Sequence, residues 1–540
     1  MSRPAPPGST RPAAALRAMR ALALLALSAS VTACASLPTV RTIEPSFVIE
    51  DTEDTAVARS AARSLGALAG PSGIHLLPRG PGAFLARLVL AEAAQRSIDA
   101  QYYIWEDDTV GKALMGALVR AADRGVRVRL LIDDIGSLPD DQTLLVIDAH
   151  PNIDVRLFNP ASTRSARGMW MVTDFARVNR RMHNKSFTVD NRMTIVGGRN
   201  IGDAYFEAAS SLNYGDMDAI AIGAAVPEVS SRFDRYWNSP VVYGIGELHR
   251  HRAGPADAAR LRASLDAFLA AHRDNAYAQD VRDSPLAQEL RQGAVSFTSA
   301  DIRVMADDIA KVERPGEAPE ANLLPQLLPE ITRAREALVL VSPYFVPGKG
   351  GVRTLAELRA RGVAVKVLTN GIASTDELPV FAKYRKYRRA LLEAGVELYE
   401  VNPQGPHDPG AVLQTTGRPA APGGRPPSVA LHGKLLVFDC REFFVGSMNL
   451  DPRSASINTE VGFVVDAPPV ATTLCSGLDE SLTRGAYRLV LEDGDTGSSR
   501  LEWIGLDEGK EHRLTREPHS SRWLRVKAWF FGLLPIERQL

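Results

Sequence analysis

Three cysteines, Cys34, Cys440 and Cys475, are too few to staple a chain of 540 residues, and no CxxC pair or Cys/His cluster suggests structural zinc. Neither metal nor cofactor is therefore expected. The ten histidines are scattered, and His249 with His251, in His249-Arg250-His251-Arg252, reads as a surface turn rather than a ligand pair. Net charge is lacking too, since 63 Lys+Arg balance 63 Asp+Glu. That balance argues against a chain that coats nucleic acid through a basic field, leaving only a local basic groove open. Ordinary fractions of charged (23%) and hydrophobic (45%) residues exclude disorder and fibrous repeats. What remains is a globular chain longer than one hydrophobic core usually serves, hence two domains or one duplicated unit.

The amino terminus stands apart. Arg3, Arg11, Arg17 and Arg20 precede the apolar run Ala21–Leu27, and Val31-Thr32-Ala33-Cys34 closes the segment, the layout of an export signal. The run is far shorter than the ~20 residues of a membrane-spanning helix. Small residues before a cysteine also resemble a bacterial lipobox, whose cleavage would leave Cys34 as a lipid-modified first residue; an ordinary signal peptide or an uncleaved anchor is the alternative. Residues 1–33 hold four Arg and no Asp, Glu or Lys, so their removal leaves 59 basic against 63 acidic residues.

Two later stretches share one order of elements. In the first, the strand candidate Ser97–Trp105 leads to a helix carrying Leu114 and Leu118, stopped by Gly125, and then to the strand Val126–Asp133. In the second, Ala337–Phe345 leads to a helix through Leu355 and Leu358 and the strand Arg361–Leu368. Three landmarks fix the register: Gly125 to Gly362 is an offset of 237, Pro160 to Pro403 of 243, and His183 to His432 of 249. Offsets growing in small steps are what loop insertions in two copies of one unit produce. The expected organisation is a leader (1–33), a linker (34–80), a first α/β unit (81–245), a helical connector (246–321), a second α/β unit (322–490) and a membrane-proximal tail (491–540). Gln404–Ala430, rich in Pro and Gly, reads as a long loop, either a lid or a disordered insertion.

The most informative residues recur in both copies. The first reads His183-Asn184-Lys185, then Asp190, then after six residues Gly197-Gly198-Arg199-Asn200; the second reads His432-Gly433-Lys434, then Asp439, then after six residues Gly446-Ser447-Met448-Asn449. Residues two apart on a strand face the same way, so each His and Lys project together. The aspartates fall where each strand should turn back.

This paired pattern resembles the phospholipase D superfamily, with its doubled HxK, D and GSxN signature; only Gly198, in place of serine, departs from it. That departure is read as the loss of one hydroxyl. Gln101-Tyr102-Tyr103-Ile104-Trp105, Phe175–Met182, Asn200–Phe206 and Asn449–Ser454 further resemble bacterial cardiolipin synthases, particularly their C-type branch, over about residues 74–540. The resemblance implies two tandem α/β units, mixed sheets flanked by helices, with pseudo-twofold symmetry and one active site at their seam. It implies a catalytic set of His183, Lys185, Asp190, His432, Lys434 and Asp439, with the aspartates mainly supporting the local fold.

A phosphodiester needs a nucleophile, a proton for its leaving alkoxide and neutralisation of its oxygens. Two histidines can divide the first two tasks through a phosphohistidine, here His183 as nucleophile and His432 as acid/base, with the reverse assignment open. Lys185, Lys434, Asn200, Asn449 and Ser447 would hold the phosphate oxygens without a metal. Each histidine also needs a carboxylate to orient it: Glu460 is expected to partner His432, and Asp216, with Asp218 close behind, to partner His183. The implied substrates are phosphatidylglycerol and phosphatidylethanolamine at a membrane surface, with no nucleic-acid partner, and the implied product is cardiolipin. The place is an exported, lipid-anchored position in the cell envelope, on the periplasmic side. Lys383–Arg389 and Arg522–Phe531, mixed cationic and aromatic stretches, suit a headgroup boundary, or else a solvated helix face and packed aromatics. A phospholipase D hydrolase, a nuclease and a non-catalytic lipid-binding lipoprotein are the rival readings.

Overall fold

The computed structural model describes residues 37–38, 43–136, 140–164, 170–249, 252–293, 295–317, 319–404, 427–493, 499–507 and 510–540. The leader, Cys34 and most of the loop 404–430 lie outside the described residues, as do Arg250 and His251.

The first half contributes β1 (Ser72–Leu77), β2 (Ser97–Tyr102), β3 (Arg127–Asp133), β4 (Ile153–Phe158), β5 (Ser186–Val189), β6 (Met193–Gly197), β7 (Leu212–Gly215), β8 (Asp218–Gly223) and β9 (Val242–Gly244). The second contributes β10 (Thr298–Ala306), β11 (Ala337–Val341), β12 (Ala364–Thr369), β13 (Glu397–Val401), β14 (Ser428–Leu431), β15 (Leu435–Phe438), β16 (Glu442–Gly446), β17 (Val461–Asp466), β18 (Ala486–Asp493), β19 (Ser499–Asp507) and β20 (Lys510–Leu514). Strands of the first half lie side by side as β9-β4-β3-β2-β5-β6-β8-β1. Those of the second lie as β18-β13-β12-β11-β15-β16-β17-β10, with β19 and β20 continuing beyond β18.

The two orders match strand for strand, so the duplication expected from the landmarks is realised as a repeated mixed sheet. In each, three central strands run parallel, β2-β3-β4 and β11-β12-β13, because a helix carries the chain back between them. Gly125 and Gly362 end those helices at positive φ, 94° and 89°, a backbone state that costs glycine nothing.

β1 and β10 correct the expected boundaries. Each is the last strand of its own sheet, yet they fall in what reads as linker and connector. They pair with each other, Ser72 opposite Ala300 and Ile74 opposite Thr298, and so join the two halves. Their sheets also share a face: Val196, Ala219 and Ala221 pack with Val445, Val461 and Phe463 in one buried apolar cluster. Helices Gly80–Ala93 and Thr109–Asp123 cover the outer face of the first sheet, while Leu323–Thr332 and Gly348–Ala360 cover that of the second.

The basic stretch 383–389 is only partly the solvated boundary element that its composition suggests: Lys386 and Arg389 are exposed. Lys383 and Arg388 are buried; Lys383 donates to the carbonyl of Gly532 at 3.0 Å, and Arg388 pairs with Glu400 at 2.7 Å. Long cationic side chains can spend their stems on packing, and here their heads are spent on neighbours as well. Among the described residues, no helix is long and apolar enough to cross a membrane.

Cys440 and Cys475 form a disulfide between the β15–β16 turn and the helix Pro468–Gly485. It closes a 35-residue separation, a loop whose closure entropy corresponds to roughly 3–4 kcal/mol of stabilisation. Replacing both cysteines by serine should therefore lower the free energy of unfolding by about 2–4 kcal/mol. Urea unfolding with and without reductant checks this: reductant should destabilise the natural chain and leave the double variant unchanged.

Candidate active site

Two short parallel pairings between the halves build the site. β7 pairs with β14, and the ladder runs on so that His432 N–H donates to the carbonyl of Gly215 at 2.8 Å. On the other side Met182 pairs with Thr459, and His183 N–H donates to the Thr459 carbonyl at 2.9 Å. Each histidine thus lies beside the residue that precedes the other half's acid.

The result reverses the expected partners. His183 Nδ1 meets Glu460 Oε2 at 2.8 Å, and His432 Nδ1 meets Asp216 Oδ2 at 2.6 Å. The pairing His183–Asp216 and His432–Glu460 is therefore wrong, and the physical reason is the backbone: a parallel ladder across the seam presents each acid to the opposite copy. Because both Nδ1 atoms are engaged, each ring keeps Nε2 for chemistry. Both lysines join the histidines, with Lys185 Nζ donating to the His183 carbonyl at 2.6 Å. Lys434 Nζ lies 3.2 Å from His432 Nε2. Tyr103 lies edge-on to His183 with ring centres 5.1 Å apart, and Tyr205 stands likewise to His432 at 5.1 Å.

Buried charge makes the two dyads unlike. Burial pushes the Asp216 carboxyl up, but His432, Lys434 and Arg199 outweigh it and hold it below the ordinary carboxylate range. Burial dominates at Glu460, where it raises the carboxyl to about 7 against the pull of Lys185 and Ser447. His183 is driven well below the usual imidazole range by burial and by Lys185 and Lys434. His432 is lowered by burial and Lys434, with Asp216 opposing. Lys434 is pushed down to about 8 by burial. One histidine is thus held neutral beside a weak acid, the other held against a firm anion.

Three expected site residues take other parts. Asp190 Oδ1 accepts from the N–H groups of Arg96 at 2.8 Å and Ser97 at 2.9 Å. Asp439 does the same for Glu336 at 2.8 Å and Ala337 at 3.0 Å. Both tie a hairpin turn to the start of the neighbouring strand, at the far end of β5 and β15 from the histidines, so neither is catalytic. Ser447 donates to Glu460 Oε2 at 2.5 Å and accepts from Val461 N–H at 3.0 Å, which spends its hydroxyl on the acid instead of a phosphate. Asn200 Oδ1 accepts from Ile104 N–H at 3.1 Å, and its side chain also hydrogen-bonds the Tyr205 hydroxyl, so the oxygen faces the protein and only amide N–H can face a phosphate. The buried Asn449 Oδ1 meets no partner within the protein among the described residues. Among the described residues no group of three or more His, Cys, Asp or Glu is arranged to hold a metal ion.

Gly198 is more than a missing hydroxyl. A Cβ there would lie 2.1 Å from Asp216 Oδ1 and 2.8 Å from its carboxyl carbon. The first half combines glycine with the shorter acid; the second combines serine with glutamate, whose extra methylene leaves room for the hydroxyl.

Residues outside the motif hold both histidines in place. Asp133, at the end of β3, accepts from Met182 N–H at 2.9 Å and pairs with Arg181 at 3.0 Å. Asn370, just past β12, exchanges two hydrogen bonds with Leu431, both 2.9 Å. Their offset, 237, equals that of Gly125 and Gly362, the signal that could have found them. Asp307, just past β10, accepts from Glu460 N–H at 2.8 Å and pairs with Lys311 at 2.9 Å; nothing in its sequence surroundings points to that task.

The comparisons with known proteins agree with this geometry. A family model described as cardiolipin synthase, PLD-like domain, matches residues 88–237 and 327–480. Cardiolipin synthase C of Escherichia coli is 40% identical over 470 residues, covering 87% of this chain and 96% of that protein. Cardiolipin synthase B of the same organism is 27% identical over 394 residues, covering 73% and 76%. The crystal structure of a phosphatidylserine synthase from Haemophilus influenzae superposes with a TM-score of 0.53 at 13% identity, covering 89% of this chain and all of that one, a likeness of fold.

Gly198 gives a test against the motif. Gly198→Ser, which restores the motif's serine, should lower turnover by at least about tenfold, because the new Cβ must displace the Asp216 carboxylate and with it His432. The measurement is kcat with a phospholipid substrate; a variant as active as the natural chain would contradict the packing described.

Proposed function

This chain belongs to the cardiolipin synthase, PLD-like family, and on that premise we propose that it is a phosphatidyltransferase making cardiolipin from phosphatidylglycerol and a second phospholipid, phosphatidylglycerol or phosphatidylethanolamine. The observation that carries the reading is the pair of unlike His–carboxylate dyads at one seam. His183, kept neutral, uses Nε2 to attack phosphorus. The bond from phosphorus to the headgroup oxygen breaks, and the departing alkoxide takes a proton from His432 Nε2. Asp216 supports the charged form of His432, and an anionic phosphodiester held by Lys185 and Lys434 adds to that support. The lysines, with the Asn200 and Asn449 amides, stabilise charge that grows on the phosphate oxygens.

The neutral His432 left behind is then the base for the next alcohol. When the glycerol head of phosphatidylglycerol approaches, His432 takes its hydroxyl proton, the oxygen attacks phosphorus, and the bond to His183 breaks. Water in place of the alcohol gives hydrolysis by the same steps, so the choice of acceptor separates synthase from phospholipase. Both lipids are supplied by a membrane surface.

We also propose that the chain works outside the cytosol, with lipid carried on Cys34. The Cys440–Cys475 disulfide supports this, since such bonds persist in oxidising compartments. The two units would span about 81–245 and 322–490, extended by β1 and β10 and, in the second, by β18, β19 and β20 as far as Leu514, which leaves the helix Arg522–Leu533 as the membrane-proximal part of the expected tail from 491.

Incubation of purified protein with labelled phosphatidylglycerol, with and without phosphatidylethanolamine, followed by lipid chromatography, tests the function. Cardiolipin should accumulate, and His183→Ala or His432→Ala should each reduce it by at least about 1,000-fold. Phosphatidic acid without cardiolipin would overturn the transferase in favour of a hydrolase, and turnover close to that of the natural chain in either alanine variant would overturn the two-histidine mechanism.

A further inference from the structure

The helix Arg522–Leu533 has one face packed and one face bare. Leu524 and Ala528 lie against the second core, while Trp523, Val526, Trp529, Phe530 and Leu533 are 51–64% exposed. Positions 523, 526, 530 and 533 recur at helical spacing and form one stripe, with Trp529 alongside. Five of the twelve large apolar side chains exposed among the described residues thus fall on three turns of one helix. Arg522, Arg525 and Lys527 are its charged residues, and it carries no Asp or Glu. A free protein surface rarely keeps a patch like this uncovered.

The helix end is held to the second unit, and the segment that follows it is tied to residues flanking the active site. Lys383 donates to the carbonyl of Gly532 at its C-terminal end, and Tyr387 donates to Glu537 just beyond. Asn179, four residues before His183, donates to Gln539 Oε1 at 2.8 Å. Arg453, four residues after Asn449, donates to the Gln539 carbonyl at 3.0 Å from its side chain and to the Leu540 carbonyl at 2.7 Å from its backbone. Met171 and Phe175, exposed at 62% and 43%, stand on the short helices that lead into Asn179.

We propose that this helix lies in the interface of an anionic lipid bilayer, its bare stripe among the acyl chains and its cations at the headgroups, and that it orients the mouth of the active site toward the bilayer. The proposal rests on the reading that the substrates are phospholipids. Charge complementarity selects the partner: three cations and no anions flank the apolar stripe, while phosphatidylglycerol is anionic. Because Gln539 and Leu540, a few residues past the helix, hold Asn179 and Arg453, and Lys383 holds the helix end itself, seating the helix would set the tilt of the site and do more than hold the protein nearby. A lipid on Cys34 would tether the chain but set no orientation, and a single acyl chain binds only marginally.

Tryptophan fluorescence on vesicles of equal parts phosphatidylglycerol and phosphatidylcholine, brominated on their acyl chains, tests this with the full chain. Bromine quenches only at close range, so the readout reports insertion whether or not Cys34 also anchors the protein. The natural chain should lose a large part of its emission. Trp523→Phe with Trp529→Phe should remove most of that loss, and Phe530→Glu with Leu533→Glu should abolish it, without altering turnover of detergent-dispersed phosphatidylglycerol. Unquenched tail tryptophans on vesicle-bound protein would overturn the proposal. So would a chain that sediments as a dimer until Phe530→Glu and Leu533→Glu are introduced, since the stripe would then cover a second copy. Insertion without cardiolipin synthesis would count against the function and leave the docking intact.

Discussion

Each of the two buried motif histidines is completed by a carboxylate from the other half of the chain, and the rest of the molecule follows from that exchange. A buried imidazole without its acid, or a buried acid without its imidazole, is an uncompensated polar group, and breaking such a pair typically costs about 3–5 kcal/mol. Neither half can satisfy its own site residues, so the halves must close on each other. The apolar face shared by the two sheets supplies the driving force for closure, while β7 with β14, and Met182 with Thr459, set its register.

A symmetric scaffold would offer two identical histidines, and the two-step transfer we propose needs two that differ. The difference is built from small substitutions at matched positions. Glycine with aspartate on one side faces serine with glutamate on the other. Arg199 backs Asp216, donating to its carbonyl at 2.7 Å, whereas Asp307 and Lys311 back Glu460. Cations around Asp216 keep it ionised, and that anion opposes the fall that burial and Lys434 impose on His432; burial around Glu460 leaves a weaker acid beside a neutral His183. Environments that push paired groups apart are how one fold runs acid and base chemistry together.

Much of this was legible in the residues themselves. The spacing from His183 to Asn200 repeats without change from His432 to Asn449, and that was enough for the duplicated α/β unit and the six motif positions. What escaped were consequences of pairing across the seam. Asp216 and Glu460 were found, but given to the wrong histidines, since a parallel ladder of four residues carries no pattern longer than a strand. Gly198 read as a deletion because its neighbour in space, Asp216, is 18 positions away. Lys383 and Arg388 read as surface charge because composition cannot show that Gly532 and Glu400 wait for them. β1 and β10 escaped because each is separated from the next strand of its half by a helix that looks like the start of the unit.

The most direct test of the exchange is the titration of His432 in histidine-labelled protein, followed by NMR and assigned with His432→Asn. Crossed pairing requires Asp216→Asn to lower the His432 pKa, because the anion opposing its depression is gone, while Glu460→Gln leaves it nearly unmoved. The opposite pattern, a drop with Glu460→Gln and none with Asp216→Asn, would contradict the account.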